Sequence, residues 1–265
     1  MSAVAPFSDL GAFGAVAALL FGLVIGSFLN VLVHRLPRGE SVVRPGSHCP
    51  ACGAPVRGRD NIPLVSWLLL RARCRDCRVP ISPLYPLVEL LNGALWSLCF
   101  LRAPSYPDFL AAAFFVSACL TLLLIDAEFQ LLPDAITLSG IAVGIALSFF
   151  SASRTPLSAA LGAAVGAGGL FAVAFVYEKI AGQEGMGLGD VKMLGMVGAF
   201  LGPSGVVVTV LLSSVAGSAV GLGLMAARRG SMKMALPFGV FLSLGAAAAL
   251  FFGEPLVAQY RGLFP

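Results

Sequence analysis

The chain has 265 residues, of which 58% are hydrophobic and only 11% are charged. Soluble domains carry about 25% charged residues, so this composition excludes an ordinary soluble domain and indicates a polytopic membrane protein. The net charge of +4 is less informative than the places where the charges lie, because a charge inside a membrane span is costly.

Apolar runs of nearly the length needed to cross a membrane, about 20 residues, predict seven spans. These lie at 11–33, 84–101, 108–126, 133–150, 157–178, 205–227 and 235–252. A shorter run at 191–201, which ends at Gly202-Pro203, is either a half-span or a short tilted helix. No basic residue precedes the first run, so we expect a retained span and not a cleaved secretory signal. The predicted fold is an all-α polytopic membrane protein with about eight transmembrane segments.

The positive charges of the chain predict its orientation. The loop 34–82 contains nine arginines, and loops rich in Lys and Arg stay on the cytoplasmic side. With eight crossings, the cytoplasmic side also receives 127–132, 179–190 and 228–234. We therefore expect both termini on the opposite side, and arginines of the long loop in contact with anionic lipid headgroups.

Four cysteines in the same loop form two C-x-x-C pairs. CPAC and CRDC are separated by 21 residues, slightly more than in common zinc ribbons. Four thiolates in this pattern are typical of a closed tetrahedral zinc site, so the predicted structural zinc ligands are Cys49, Cys52, Cys74 and Cys77. Two disulfides or free thiols are the alternative, which a cytoplasmic loop disfavours.

Two aspartates lie at the ends of apolar runs. Asp190 follows the glycines of GMGLGD, and Asp126 closes the run LLLID. The predicted topology puts both at the cytoplasmic interface, although they are 64 positions apart. Two neighbouring carboxyl groups do not both ionise easily, so they share one proton. The ionised member can take a proton from water while the other donates one to a carbonyl. We predict that Asp126 and Asp190 form a catalytic pair for amide hydrolysis.

Other interpretations of these acids are open. Asp190 could cap a helix without any catalytic role. Asp134 is the rival partner for Asp190, but it follows Pro133 and is expected to start a helix. Lys192 either extends to the interface or tunes the site. The sequence contains no HExxH motif, P-loop or strand-flanked dinucleotide motif that would offer another chemistry.

At these residues the chain resembles the prepilin peptidases, the type IV leader peptidase family. The resemblance covers nearly the whole chain, through GSFLNVLVHRLPR, the cysteine pairs with VPISPLYPLVEL, LIDAEFQLLPD, GMGLGDVKM and PFGVFLSLGA. By this resemblance the catalytic aspartates are Asp126 and Asp190. Two positions depart from the expected pattern, with Val240 in place of a proline and Ala72 in place of a glycine. Neither departure is expected to affect the chemistry.

The resemblance implies an aspartic endopeptidase of the bacterial inner membrane, with its active site at the cytoplasmic face. Such enzymes cut the basic leader of type IV prepilins and pseudopilins after a glycine, usually before phenylalanine. Members with four cysteines then methylate the new N-terminus from S-adenosylmethionine. The implied domains are a first transmembrane segment at 1–33, a zinc loop associated with methyl transfer at 34–82, and a peptidase core at 83–265. No nucleic-acid partner is expected.

Three alternative functions remain: a general Gly-x-Gly-Asp intramembrane protease, a peptidase without methyl transfer, and a non-enzymatic ion carrier. An ion carrier would favour acids near the membrane midplane, whereas these acids are expected at the interface. No sequence pattern locates a pocket for S-adenosylmethionine. Glu89, early in the second span, is the best-placed acid for methyl transfer, and the alternative is a hydrogen-bonding role between helices.

Overall fold

A computed structural model describes residues 11–182, 187–227 and 237–262, without the side chain of Arg261. In these residues the β-structure is confined to two isolated bridges, His48–Pro55 and Arg73–Pro80. The α-helices are α1 (Gly11–Arg35), α2 (Val65–Leu69), α3 (Leu84–Arg102), α4 (Tyr106–Phe129), α5 (Asp134–Ser148), α6 (Pro156–Ala181), α7 (Leu188–Ala226) and α8 (Phe238–Gly262). The all-α prediction is confirmed.

Within the described residues, six helices are long and apolar enough to cross a membrane, namely α1, α3, α4, α6, α7 and α8. Helix α5 is apolar but has only 15 residues. Helix α7 is broken at Gly202, which comes just before Pro203. Gly202 has a φ of 70° and a ψ of −178°, a combination that essentially only glycine adopts. The short run predicted at 191–201 is therefore the first half of a long, kinked helix. The multi-pass membrane class is confirmed, while eight crossings and their orientation stay predictions.

Contacts divide the chain into two compact units, Met1–Ser117 and Ala118–Pro265, and the division falls inside α4. The domain boundaries predicted after residues 33 and 82 are not tested by this division and stay predictions. Each unit contains one of the two predicted sites, since the cysteines belong to the first unit and the aspartates to the second.

In the first unit, α1 packs against α3. Glycines allow the two backbones to approach, because a Cβ on Gly26 would lie 2.7 Å from the Cα of Glu89. The buried Asn92 of α3 donates a hydrogen bond from Nδ2 to the carbonyl of Gly22, at 2.7 Å. Small residues and a buried amide therefore join these helices, as in other membrane proteins, where lipid removes most of the hydrophobic driving force.

In the second unit, α7 is the central helix and packs against α5, α6 and α8. Its first half is buried from Met193 to Phe200. Gly162 of α6 and Gly198 of α7 are so close that a Cβ on either would lie about 2 Å from the carbonyl oxygen of the other. Helix α6 exposes large apolar side chains on its remaining surface, as expected for a helix in contact with lipid.

Candidate active site and metal centre

Asp126 lies near the C-terminal end of α4, and its carboxyl group meets the N-terminal end of α8. Its side chain is buried, with 5% exposure. Its Oδ2 accepts a hydrogen bond from the backbone N–H of Val240 at 2.9 Å, and the N–H of Gly239 also interacts with it. The first N–H groups of a helix have no partner within that helix, so α8 has donors available for a carboxylate from another helix.

Asp190 lies in the first turn of α7 and is half-buried. It is close enough to Asp126 for the two carboxyl groups to interact electrostatically. Leu132, from the segment between α4 and α5, packs beside the N-terminal ends of α7 and α8. A Cβ on Gly189 of α7 would lie 3.1 Å from the Leu132 Cβ, and a Cβ on Gly239 of α8 would lie 3.0 Å from the Leu132 Cδ2. The structure thus brings Asp126 and Asp190 together at three helix ends. The first residues of GMGLGD, 185 and 186, lie outside the described residues.

Gly239 leaves no room for a side chain beside Asp126. A Cβ at this position would lie 2.8 Å from Oδ2 and 2.9 Å from Cγ of Asp126, closer than real Cβ contacts. Sequence reasoning missed both Gly239 and the Val240 N–H, and the only signal was PFG ahead of an apolar run, where a helix begins. The expectation that Val240 has no bearing on the site is wrong, because a proline there could not donate this hydrogen bond.

Asp134 has a partner of its own. Lys192 Nζ lies 2.6 Å from Asp134 Oδ1, and the two side chains are 31% and 57% exposed, respectively. Asp134 is the first residue of α5, as expected from the preceding proline. An exposed pair of this kind contributes about 0–1 kcal/mol to stability. Asp134 is therefore an exposed, ion-paired residue, whereas Asp126 is buried against backbone donors.

The four cysteines of the loop come together in the first unit. Their Sγ atoms all lie within 4.8 Å of one another, and the Sγ atoms of Cys49 and Cys77 are 3.7 Å apart. Tetrahedral zinc with Zn–S bonds of about 2.3 Å needs Sγ atoms about 3.8 Å apart. The cluster therefore has the size and donor set of a tetrahedral thiolate metal site.

The two C-x-x-C pairs have the same backbone pattern. In each, the first cysteine donates its N–H to the carbonyl five residues later, at 2.9 Å, and the residue after the second cysteine has a positive φ, 71° for Gly53 and 62° for Arg78. Ala72, where a glycine is expected, has a φ of 56°. A residue with a Cβ pays roughly 1–2 kcal/mol in this left-handed region. Glycine avoids that cost, which explains why a glycine is expected here.

The thiols of the cluster differ in pKa. The backbone N–H groups of Cys52 and Ala51 lower the pKa of Cys49 to about 7. The backbone N–H of Val79 lowers the pKa of Cys77. Burial and hydrogen bonds with the other three thiols outweigh that effect and raise the pKa of Cys77 to about 12. Thiols this close do not all ionise without a cation between them, and a metal ion supplies that cation as it displaces the protons.

A cavity of about 580 Å³ lies beside the cysteine cluster, within the first unit. Its wall includes Asn30 and Arg35 of α1, Trp67 of α2 and Glu89 of α3. Glu89 is buried, and its Oε2 accepts a hydrogen bond from the backbone N–H of Leu64 at 2.8 Å. No sequence pattern indicates this cavity, because its wall combines residues of α1 and α3 with residues of the long loop between them, which includes α2.

Comparisons with known proteins match both units. Residues 20–103 match the bacterial peptidase A24 N-terminal domain, and residues 113–222 match the type IV leader peptidase family. The chain is 37% identical to "Prepilin leader peptidase/N-methyltransferase" of Burkholderia pseudomallei (strain 1026b), over 92% of this chain and 87% of that protein. Proteins with the same name are 36% identical in Aeromonas hydrophila, over 91% of each chain, and 42% identical in Myxococcus xanthus (strain DK1622), over 78% of this chain and 62% of that protein.

No solved structure matches the chain. The relatives from Burkholderia pseudomallei and Aeromonas hydrophila are 37% and 36% identical across most of both chains. The two family models cover the regions of the cysteine cluster and of the two aspartates. The chain belongs to the type IV leader peptidase family.

Proposed function

We propose that this protein is a membrane aspartic endopeptidase that removes the leader of type IV prepilins and pseudopilins and then methylates the new N-terminus. The observation that carries the proposal is the meeting of Asp126 and Asp190 at the ends of three helices, with Asp126 held by the N-terminal end of α8. The printed names of the relatives supply the substrate class and the second activity.

The two carboxyl groups hydrolyse the amide as a pair that shares one proton. The ionised carboxylate takes a proton from water as the water oxygen attacks the carbonyl carbon, and the protonated carboxyl group donates its proton to the carbonyl oxygen. The tetrahedral intermediate then breaks the C–N bond, and the leaving amine takes a proton from the pair. The Val240 N–H keeps one Asp126 oxygen in place, which leaves the other oxygen for water or substrate.

The position of the pair at helix ends suits a substrate that is itself partly in the membrane. The apolar segment of a prepilin lies in the bilayer while its basic leader remains in the cytoplasm, so the scissile bond is near the interface. A helix must open locally before its amide is attacked, and a glycine before the bond makes that opening less costly. We place the active site at the cytoplasmic face of the inner membrane, with membrane lipid around the helices.

The four-cysteine cluster holds structural zinc, and S-adenosylmethionine is the methyl donor. Cys49, Cys52, Cys74 and Cys77 fit Zn²⁺ in size and charge, and a site closed by four thiolates leaves no open position for catalysis. Zinc therefore keeps the loop folded. S-adenosylmethionine supplies an electrophilic methyl group for the amine that cleavage releases.

The test uses purified protein, a full-length prepilin and S-adenosylmethionine, with mass spectrometry of the pilin N-terminus. The expected product has lost its leader after the glycine and has gained one methyl group. Cleavage without methylation would leave the peptidase and remove the second activity. A prepilin left intact would overturn the proposal and favour the ion carrier, and equal cutting of unrelated membrane helices would favour the general intramembrane protease.

A further inference from the structure

The cavity of the first unit contains a buried acid without a cationic partner. Glu89 is only 8% exposed, and one of its carboxylate oxygens accepts the Leu64 N–H. In the part of the chain that the structure describes, no Lys, Arg or His forms an ion pair with it. A buried carboxylate is costly unless a cation or several donors compensate it. Glu89 lines the cavity, where a positively charged ligand would supply that compensation.

The same wall contains a buried base without an anionic partner. Arg35 is 7% exposed, and its guanidinium donates to the backbone carbonyls of Ser41 at 2.9 Å and Gly46 at 3.3 Å. Among the described residues, no carboxylate forms an ion pair with it. Arg35 and Glu89 do not pair with each other either, although both line the cavity. The wall also contains exposed or ion-paired charges, such as Glu40 and the Asp60–Arg75 pair, but Arg35 and Glu89 are buried charges of opposite sign that a ligand can reach.

We infer that this cavity binds the methyl donor S-adenosylmethionine, with Arg35 facing its carboxylate and Glu89 facing a positively charged group. The inference rests on the proposed methyl transfer and gives it a location. S-adenosylmethionine has one carboxylate, which suits the buried Arg35, and two cationic groups, an ammonium and a sulfonium, either of which suits the buried Glu89. The cavity volume of about 580 Å³ is within the usual range for small-molecule sites, about 300–1,000 Å³.

Trp67 adds the aromatic surface that such a ligand needs. Its indole Nε1 donates to the carbonyl of Ile81 at 3.2 Å, which fixes the ring in the cavity wall. A fixed aromatic face attracts a cation and stacks against a flat purine. Since Ile81 follows the second C-x-x-C pair in the chain, a folded cysteine loop is needed to position this ring.

A carboxylate in this place suits the charges before and after methyl transfer. The lone pair of the free amine forms the N–C bond while the C–S bond breaks and its electron pair goes to sulfur. The sulfonium becomes a neutral thioether, the positive charge passes to nitrogen, and the surplus proton leaves to solvent. Glu89 can therefore remain ionised throughout the reaction, near a positive charge at each stage.

The test is calorimetric titration of the purified, metal-loaded protein with S-adenosylmethionine, S-adenosylhomocysteine and methylthioadenosine. The main variant is Glu89→Gln, because glutamine keeps an oxygen acceptor for the Leu64 N–H and removes only the charge. Arg35→Gln is the second variant, and metal content reports whether its loop still folds. Glu178→Gln removes an exposed acid of α6 and is the matched control.

Glu89→Gln is expected to weaken the binding of S-adenosylmethionine at least about 10-fold, the usual effect of losing a charge-assisted contact. An equal loss for S-adenosylhomocysteine would assign Glu89 to the ammonium, and a loss limited to S-adenosylmethionine would assign it to the sulfonium. Both variants should leave the binding of methylthioadenosine unchanged, because that ligand has neither charged amino-acid group nor sulfonium.

The inference is overturned if metal-loaded Glu89→Gln binds S-adenosylmethionine as tightly as wild type and the Glu178→Gln control. That result would leave the proposed methylation intact if wild type still binds the donor and methylates pilin. If wild type binds no donor and adds no methyl group, the proposed second activity fails as well, so the two failures are distinguishable.

Discussion

Gly239→Ala tests whether the N-terminal end of α8 positions Asp126. The added Cβ would lie 2.8 Å from Asp126 Oδ2, and ordinary Cβ contacts begin near 3.4 Å, so the carboxyl group or α8 must shift by about 0.6 Å. A displacement of about 1 Å in a catalytic group can cost about 100-fold in rate. We expect kcat/KM for prepilin cleavage to fall about 10- to 100-fold, measured by gel or mass spectrometry at several substrate concentrations.

Gly253→Ala is the matched control on the same helix. A Cβ at Gly253 would be 3.9 Å from the Cβ of Ala249, which is an ordinary contact, so this substitution adds a methyl group to α8 without a clash. Its cleavage rate should stay within about twofold of wild type. If Gly239→Ala folds, as judged by thermal unfolding, and cuts prepilin at the wild-type rate, the argument for α8 is refuted.

Three further predictions concern packing, the loop and the metal. Gly162→Ala should lower the free energy of unfolding by about 1–3 kcal/mol, because the added methyl group overpacks α6 against α7. Gly168→Ala is the control and should not, since a Cβ at Gly168 has open space around it. Differential scanning fluorimetry compares the two variants with wild type. Ala72→Gly should stabilise the loop by about 1 kcal/mol, because it removes the strain of a left-handed alanine, and a higher midpoint for chelator-induced metal loss would show this. Acidification should progressively release the metal, because protons compete with it for the four thiolates; atomic absorption after dialysis measures this, and a metal content independent of pH would contradict thiolate coordination.

The helices and the cysteine cluster were predictable because their signals are local. Apolar runs determine where helices lie in a membrane protein, and the Gly202-Pro203 break was visible as a dipeptide. The two thiols of each C-x-x-C pair are close because they are near in sequence. Only the contact between the two pairs depends on how the loop folds. The resemblance to prepilin peptidases extended this prediction to both aspartates.

The surroundings of the aspartates were not predictable, because they depend on backbone groups from distant helices. The N–H of Val240 has no sequence signature, yet it binds a carboxylate 114 positions earlier. The partners of charged residues were equally hidden, since Lys192 pairs with Asp134 and not with its near neighbour Asp190. The unpaired charges of Arg35 and Glu89 become visible only when the cavity between their helices and loop is known.

The most direct test of the proposed active site compares prepilin cleavage by Asp126→Asn, Asp190→Asn and Asp134→Asn with that by wild type. Asparagine keeps the shape of the side chain and cannot exchange the proton that the pair needs. We expect the first two variants to cut no measurable prepilin while Asp134→Asn, which loses only an exposed ion pair, cuts within a few-fold of wild type. Normal cleavage by Asp126→Asn or Asp190→Asn would contradict the catalytic pair.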